Sequence, residues 1–342
     1  MRLGVLTGGG DCPGLNAVIR AVTASNFHRG SHTLGIRRGW RGLVDGDFVE
    51  ITGPMISGIL DKGGTILGSS RTNPTKDPAL LEKLKENWRA SRIDGLIAIG
   101  GDDTLSVAAY LSKEGYNVIS VPKTIDNDIG LTDYSFGFHT AVGVITDAID
   151  RLRTTAEAHD RVIILEVMGR HSGWLATYAG IAGGADLILV PERPFDIEEV
   201  VEVLKARFAR GRNFANVVVA EGAKPEGIEN YITRSQEVDD FGHVQLGGVG
   251  EYLAKEIGDR MSVDTRAVIL GHIQRGGSPV PYDRVLATRL GVRASELAHE
   301  GTWGVMAALQ GRDINPVPLE DVLGKVNTLR EDFFDAAELF FG

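Results

Sequence analysis

Short apolar runs alternate with amphipathic stretches along most of the chain. The apolar runs predict strands at 2–7, 32–36, 94–99, 117–121, 161–167, 187–190, 215–220 and 266–270. The stretches between them predict helices at 14–28, 78–90, 103–115, 138–158, 172–182, 196–210 and 248–258. Strands and helices that alternate at this spacing are typical of the α/β class, in which helices cover both faces of a mostly parallel sheet.

Two regions lack this alternation of strands and helices. Residues 224–250 are rich in glycine and charge and have little apolar pattern, so we interpret them as an inserted loop or hairpin. The end of the chain, 324–342, carries Phe333, Phe334, Leu339 and Phe340, which predict an amphipathic helix. A length of 342 residues is enough for two domains.

Composition excludes several classes of partner. The net charge of −10 argues against a nucleic-acid binder, because a phosphate backbone demands a cationic face. Cys12 is the single cysteine, so no internal disulfide can form, which fits a reducing compartment. The first seven residues lead directly into a glycine loop, unlike a secretion signal, and no apolar run approaches the roughly 20 residues of a membrane span. We expect a cytoplasmic protein without a membrane partner.

Two predicted strands end in glycine-rich turns, TGGGDCPG at 7–14 and GGDDT at 100–104. Glycine lets backbone N–H groups approach a phosphate, and the helix that follows adds its positive dipole end. A carboxylate at the second turn, Asp102 or Asp103, could hold Mg²⁺ on phosphate oxygens. The alternatives are a tight structural turn at the first site and an Asp helix cap at the second. Neither turn has the spacing of a dinucleotide fingerprint or a P-loop.

A third turn, PKTIDND at 122–128, places two carboxylates, a hydroxyl and an ammonium directly after a predicted strand. In an extended backbone Asp126 and Asp128 project to the same side. One of them can act as a general base on a hydroxyl while the other orients the hydroxyl or a metal ion. The alternative is a set of surface acids, which Lys123 and Thr124 beside them make less attractive.

Basic side chains recur near predicted strand ends: Arg71, Arg161, Arg170, Arg266, His272 and Arg275. Arginine at such edges suits bidentate capture of a phosphate monoester. Any one of these residues alone is an ordinary surface charge, but their repetition in an acidic protein indicates a phosphorylated substrate. Glu221, which ends the strand at 215–220, could accept hydrogen bonds from sugar hydroxyls.

These motifs together resemble the phosphofructokinase family over nearly the whole chain. The GGD loop, GGD-x-[ST] at 100–104, P-x-TIDND at 122–128, EVMGR at 166–170 and GHIQRGGSP-x-P-x-DR at 271–284 follow the family's order. The resemblance implies two lobes, each a mostly parallel sheet with helices on both faces. It implies a donor domain of 1–137 plus 275–323, and a sugar-phosphate domain of 138–274 plus 324–342 with an insertion near 224–250.

The resemblance also implies roles at the matching positions. Asp126 would take the proton from the 1-hydroxyl of fructose 6-phosphate, and Asp102 would bind Mg²⁺. The residues that would bind or position substrate are Gly10, Thr124, Asp128, Met168, Gly169, Arg170, Glu221, His272 and Arg275. Arg161 and Arg266 would reach this pocket from a neighbouring subunit, which implies a homodimer or homotetramer with shared sites.

Two positions bear on the phosphoryl donor. ATP-dependent members resemble GGDG[ST], with glycine at the position of Asp103, whereas pyrophosphate-dependent members resemble GGDD[ST] and PKTIDND. Asp103 would place negative charge where the α-phosphate of ATP must lie. Like charges about 4 Å apart cost on the order of 4 kcal/mol at an effective dielectric near 20. Lys123 would neutralise the phosphate leaving group.

The sequence therefore predicts reversible, Mg²⁺-dependent phosphoryl transfer from pyrophosphate to fructose 6-phosphate in glycolysis and gluconeogenesis. Asp126, Asp103 and Lys123 are the predicted catalytic residues. The alternatives are an ATP-dependent enzyme of the same fold and, more distantly, a non-catalytic sensor of sugar phosphates.

Overall fold

The computed structural model describes residues 1–227, 233–238 and 244–342. Its strands are β1 Arg2–Thr7, β2 His32–Ile36, β3 Phe48–Glu50, β4 Gly95–Gly100, β5 Val118–Thr124, β6 Phe136–Gly137, β7 Val162–Val167, β8 Leu187–Leu189, β9 Ala215–Ala220, β10 Thr233–Val238, β11 Val244–Leu246, β12 Thr265–Ile269, β13 Val305–Gln310 and β14 Asp313–Pro318. Its α-helices are α1 Leu15–His28, α2 Trp40–Asp45, α3 Gly53–Ile56, α4 Pro78–Ser91, α5 Asp102–Lys113, α6 Phe138–Ala158, α7 Trp174–Gly183, α8 Ile197–Ala209, α9 Val249–Met261, α10 Pro281–Glu300, α11 Leu319–Val322 and α12 Glu331–Glu338. Short 3₁₀ helices cover Pro74–Lys76 and Gly271–Arg275.

The larger sheet has the strand order β14-β13-β5-β4-β1-β2-β3, with β6 paired to β5. Its central strands run parallel, and β3 and β14 add antiparallel edges. Alternate residues of β1 and β4 point to opposite faces, as the pleat requires. Leu3 and Ile97 enter one core, whereas Leu6 and Leu96 enter the core on the other face.

The smaller sheet is entirely parallel, in the order β12-β7-β9-β8. One continuous hydrophobic core joins the facing sides of the two sheets through α6, whose Phe138, Ile145 and Ile149 are buried in it. Val162 and Ile164 of β7 face a separate core under α8 and α9. The predicted α/β class, with parallel-dominated sheets and helices on both faces, is confirmed.

All the predicted strands and helices before residue 270 are present, with small shifts at their ends. The sequence pattern did not predict α10, β13 and β14, nor the short elements α2, β3, α3, β6 and α11. The buried face of α10 is built largely from small residues, Ala287, Gly291, Ala294 and Ala298, which give a weak apolar pattern. Small residues let α10 approach α1 closely, since a Cβ at Gly291 would lie 2.8 Å from the Val18 carbonyl oxygen.

The predicted helix at 324–342 is wrong in extent, because only Glu331–Glu338 is helical. The residues before α12 bond to other parts of the protein instead: Val326 forms a β-bridge with Ile129.

In the region interpreted as an insertion, β10 and β11 pair antiparallel, as in a hairpin. Their connection, 239–243, and residues 228–232 lie outside the described residues.

In the part of the chain that the structure describes, no helix is both long and apolar enough to cross a bilayer.

The short strand β6 lies at a crowded junction. It pairs with Lys123 and Thr124 of β5, and its Phe136 carbonyl accepts a hydrogen bond from Cys12 Sγ at 3.1 Å. Gly137 has φ +98, and a Cβ there would lie 2.0 Å from Cys12 Sγ. This glycine is therefore required both by backbone conformation and by the close approach of the 7–14 loop.

We predict that Gly137→Ala destabilises the protein more than Gly115→Ala does. Both glycines have positive φ, but a Cβ at Gly115 meets no atom within 4 Å. Gly115→Ala should therefore lower the free energy of unfolding only by the backbone cost of about 1 kcal/mol. Gly137→Ala should lower it by about 1–3 kcal/mol more, because its Cβ overpacks the junction. The measurement is the free energy of unfolding in denaturant, and equal losses in the two variants would contradict the crowded junction.

Candidate active site

The strand order brings the predicted motifs to one edge of the larger sheet. Because β5, β4 and β1 are adjacent and parallel, their carboxyl ends meet, as do the turns at 7–14, 100–103 and 124–128. Ligands in open α/β sheets bind outside this edge. The carboxyl ends of β7 and β9 bring 168–173 and Glu221 from the smaller sheet towards the same region, where Ser172 Oγ donates to the Asp126 carbonyl at 3.0 Å.

The first two glycine turns pack directly on each other. The Gly8 N–H donates to the Ile99 carbonyl at 2.9 Å, and a Cβ at Gly8 would lie 2.4 Å from Thr104 Oγ1. A Cβ at Gly100 would also collide with the Thr104 side chain, at 2.3 Å. Glycine at both positions thus lets the loop at 7–14 lie against the start of α5. The two turns form one surface, which we call the donor surface (Gly8–Gly10 with 100–103).

Lys123 lies beneath the donor surface. Its ammonium donates to the Gly10 carbonyl oxygen at 2.5 Å, and only 3% of the residue is exposed. Burial, together with the positive charge of Arg275, lowers the pKa of Lys123 to about 8. The Arg275 guanidinium also lies next to Gly10, since a Cβ at Gly10 would lie 2.6 Å from its Nη1. Two cations therefore flank Gly10.

The turn at 124–128 is not extended, which corrects the geometry expected from the sequence. Asn127 has φ +54, so the backbone reverses locally between the two carboxylates. The Asn127 side chain supports this conformation, accepting from Ser135 N at 3.0 Å and donating to the Asp133 carbonyl at 3.2 Å. Thr124 Oγ1 accepts from Asp126 N at 3.1 Å and hydrogen-bonds the Asp128 carboxylate. Thr124 therefore links the two acids.

The two carboxylates remain electrostatically close. Burial, together with the negative charge of Asp126, raises the pKa of Asp128 to about 7. Burial also raises the pKa of Asp126, against the opposing charges of Arg275, Lys123 and Arg170. Asp126 Oδ1 is buried and finds no hydrogen-bond partner among the described residues. A buried, unpartnered carboxylate oxygen among cations is suited to accept a proton.

Asp102 and Asp103 lie in the first turn of α5, and Gly101 is the residue that caps the helix. The alternative that either acid serves as the helix cap is therefore wrong. Asp102 is exposed and Asp103 is half-buried. The charge of Asp102 also contributes to the raised pKa of Asp128, so a third carboxylate lies near the pair.

This donor set fits a magnesium ion held partly by substrate. Mg²⁺ prefers carboxylate oxygens, keeps several waters and needs only one or two protein carboxylates when phosphates supply other ligands. Asp102 provides an exposed carboxylate at the donor surface. The described residues contain no cluster of three or more His, Cys, Asp or Glu that could hold a metal ion.

The smaller sheet contributes a rigid loop at 168–173. Met168 N donates to Gln274 Oε1 at 3.1 Å, which joins this loop to the Gly271–Arg275 helix. Gly169 has φ +130, and Gly222 packs so closely on Arg170 that a Cβ would lie 2.1 Å from its carbonyl oxygen. Burial, together with the charge of Asp126, raises the pKa of Glu221 to about 7, so Glu221 lies near the turn at 124–128.

Two of the predicted binding residues lie apart from this group. Arg161 and Arg266 stand at the amino ends of β7 and β12, where both pair with Asp264 at 2.6 and 3.0 Å. Because Arg170 and Arg275 lie beyond the carboxyl ends of these strands, the chain does not bring Arg161 and Arg266 into its own site. His272 is exposed on the Gly271–Arg275 helix.

Sequence reasoning missed residues that act on the site through backbone contacts. Gln274 lies inside the motif at 271–284, and Ser172 lies two residues after EVMGR, but neither was predicted to be a site residue. Asn327 donates to the carbonyl oxygens of Asn127 and Asp128. It belongs to a segment that was predicted to be helical, so no signal in the sequence identified it.

Comparison with known proteins agrees with this architecture. The family profile described as phosphofructokinase matches residues 2–298. A pyrophosphate–fructose 6-phosphate 1-phosphotransferase from Amycolatopsis methanolica is 54% identical over 343 residues, covering 100% of both chains. An ATP-dependent 6-phosphofructokinase from Mycobacterium tuberculosis is 50% identical over 344 residues, also covering 100% of both.

A solved structure supports the fold. Phosphofructokinase from Saccharomyces cerevisiae is 30% identical and superposes with a TM-score of 0.82, covering 94% of this chain. This chain spans 45% of the yeast chain's length. The resemblance drawn from the motifs is confirmed, and the chain belongs to the phosphofructokinase family.

Proposed function

We propose that this protein transfers a phosphoryl group from pyrophosphate to the 1-hydroxyl of fructose 6-phosphate, giving fructose 1,6-bisphosphate and phosphate. The observation that carries the proposal is the buried Asp126 carboxylate, whose Oδ1 lacks a partner among the described residues while Arg170, Arg275 and Lys123 surround it with positive charge. The name of the Amycolatopsis methanolica relative, which is 54% identical, supports the same reaction.

On the acceptor side, Asp126 takes the proton of the sugar 1-hydroxyl as the oxygen attacks phosphorus. Thr124 and Asp128 hold the base in place through the hydrogen bonds that link the three residues. Met168, Gly169, Arg170 and Glu221 hold the sugar, and His272 with Arg275 binds its 6-phosphate. Phosphoryl transfer depends mainly on positioning and on neutralising charge, so a rigid turn serves this chemistry.

On the donor side, Gly10 contacts pyrophosphate, and orthophosphate departs when the bridging P–O bond breaks. Lys123 neutralises the leaving phosphate from below the donor surface, where its ammonium already lies 2.5 Å from the Gly10 oxygen. Asp102 would hold Mg²⁺, which supplies neutralisation of the phosphate oxygens when it is bound. One anhydride is exchanged for one ester, so the reaction runs in both directions.

The choice of donor is assigned to Asp103. Asp103 lies in the first turn of α5, within the segment 100–103 that forms part of the donor surface. A fixed negative charge there opposes a third phosphate but leaves room for pyrophosphate. The ATP-dependent reaction is the second candidate, because the Mycobacterium tuberculosis relative carries that name at 50% identity.

The proposal includes the wider organisation of the protein. The larger sheet, with the donor surface, corresponds to a domain of 1–137 plus 275–323, and the smaller sheet to 138–274 plus 324–342. We infer a homodimer or homotetramer in which Arg161 and Arg266 complete a neighbouring subunit's site, because they lie at the far edge of their own sheet. The acidic balance and single buried cysteine suit a cytoplasmic enzyme.

The direct test is to compare initial rates of the purified protein with Mg²⁺, fructose 6-phosphate and either pyrophosphate or ATP. Turnover with pyrophosphate that exceeds turnover with ATP supports the proposal. Turnover with ATP alone would assign the second candidate, and binding of the sugar phosphate without turnover by either donor would assign a sensor.

We predict that Asp103→Gly lowers kcat/KM with pyrophosphate by about tenfold or more and admits ATP as a donor. Removing the carboxylate relieves repulsion worth on the order of 4 kcal/mol at an effective dielectric near 20. The variant Asp103→Asn separates charge from bulk, because it keeps the size of the side chain. If neither variant alters the ratio of rates with the two donors, Asp103 does not select the donor.

We predict a bell-shaped dependence of kcat/KM on pH. The rate rises as the Asp126–Asp128 pair loses its proton, with the raised pKa of Asp128 near 7, because the base must be ionised. The rate falls as Lys123, with its pKa lowered to about 8, loses its charge. In Lys123→Arg the guanidinium keeps its charge at high pH, so the alkaline limb moves upward. A wild-type profile that stays flat above pH 8 would remove Lys123 from the mechanism.

We predict that two inactive variants complement each other if sites are shared. Mixing Asp126→Asn with Arg266→Ala subunits, followed by dissociation and random reassociation, restores about a quarter of wild-type activity in a dimer, because mixed dimers keep one intact site. The matched control mixes Asp126→Asn with Glu221→Gln. Both of these residues belong to the same subunit's half of the site, so no recovery is expected. Equal recovery in both mixtures, or none in either, would contradict the shared arrangement.

A further inference from the structure

The segment 325–329 forms an irregular strap, here called the 325–329 strap, across the catalytic turn. Gly130 N donates to the Lys325 carbonyl at 3.1 Å, and Val326 bridges to Ile129. The approach is close, because a Cβ at Gly130 would lie 2.6 Å from the Lys325 oxygen. These contacts lay the strap against the residues that directly follow Asp128.

Asn327 is the residue of the strap that reaches the turn itself. Its backbone N–H donates to the Asp128 carbonyl and its side-chain amide donates to the Asn127 carbonyl, each at 2.9 Å. The carbonyl of Asp126 accepts from Ser172 Oγ at 3.0 Å. The backbone carbonyls of Asp126, Asn127 and Asp128 are thus all held by residues remote in sequence, while Asp126 Oδ1 has no hydrogen-bond partner among the described residues.

The other side of the strap is attached to the smaller sheet's half of the site. Trp174 Nε1 donates to the Asn327 carbonyl at 2.8 Å, and Leu329 N donates to Glu192 Oε1 at 2.9 Å. The same Glu192 carboxylate accepts from Gly173 N at 3.0 Å. Gly173 ends the loop that begins at Met168 and contains Arg170, so the strap connects the base to the loop that holds the acceptor.

We propose that Asn327 is a positioning residue for phosphoryl transfer, because it fixes the Asp126–Asp128 turn relative to the acceptor loop at 168–173. The inference rests on the proposed role of Asp126 as the base. Asn127 needs such support, since its left-handed backbone is a conformation that non-glycine residues adopt rarely. Asn327 touches neither substrate in this account, so its loss changes the rate of the bound complex rather than substrate binding.

The test measures kcat and KM for Asn327→Ala, with whichever donor the wild type uses. We expect kcat to fall about 10- to 100-fold, the effect of misplacing a catalytic group by about 1 Å, while KM for both substrates changes less than about threefold. Asn327→Asp should be impaired at least as much, because its carboxylate cannot donate to the Asn127 carbonyl. The matched control is Asn315→Ala, which removes an exposed amide that donates to Gln310 at 3.2 Å, and it should leave kcat unchanged.

A second readout separates positioning from general destabilisation. If Asn327 acts through the base, Asn327→Ala in an Asp126→Asn background causes no further loss of kcat, since the group it positions is already absent. The full additional loss in that background would overturn the proposal, as would wild-type kcat in Asn327→Ala. Failure of the proposed function has a different signature, because then the wild type itself lacks pyrophosphate-dependent turnover.

Discussion

The site depends on holding the Asp126 carboxylate, the proposed base, inside the protein among cations without a hydrogen-bond partner on its Oδ1. Burial raises the pKa of Asp126, and the charges of Arg275, Lys123 and Arg170 oppose that effect. None of these cations hydrogen-bonds Oδ1 in the described residues, so the oxygen stays available. The pKa of the neighbouring Asp128 is raised to about 7, so the turn combines an unpartnered carboxylate oxygen with an acid that titrates near neutral pH, as the proposed general-base role requires.

The need to hold the Asp126 carboxylate among cations explains much of the surrounding architecture. Lys123 enters the site from β5 itself, the strand that also leads into the catalytic turn, and Arg275 enters from a 3₁₀ helix that follows β12. Glycines at 8, 100 and 137 let three chain segments pack closer than any side chain would allow. The strap at 325–329 and Ser172 then fix the backbone carbonyls. Each of these features constrains position, and transfer of a phosphoryl group is chemistry in which position and charge carry most of the catalysis.

The sequence predicted those parts of the fold that local patterns encode. Strands such as Gly95–Gly100 are continuous apolar runs, and the motif residues stand directly after them, so their meeting at one sheet edge followed from parallel topology. Helix α10 was missed because close packing on α1 replaces large apolar residues with Ala and Gly. The left-handed Asn127 and the strap around Asn327 depend on hydrogen bonds between residues about 200 positions apart. No local sequence pattern encodes such pairings. The sequence therefore identified the acids of the turn but not the residues that hold the turn in place.

The central claim is that the catalytic turn carries a carboxyl group whose pKa lies far above its usual range. Infrared titration of the protonated carboxyl band measures this directly, with Asp128→Asn as the reference for assigning the band. The difference spectrum of the wild type minus Asp128→Asn should contain a protonated carboxyl band at about pH 5, where ordinary carboxyls are largely ionised, and this difference band should disappear as the pH rises through about 7. A wild-type spectrum identical to that of Asp128→Asn at every pH would contradict the claim.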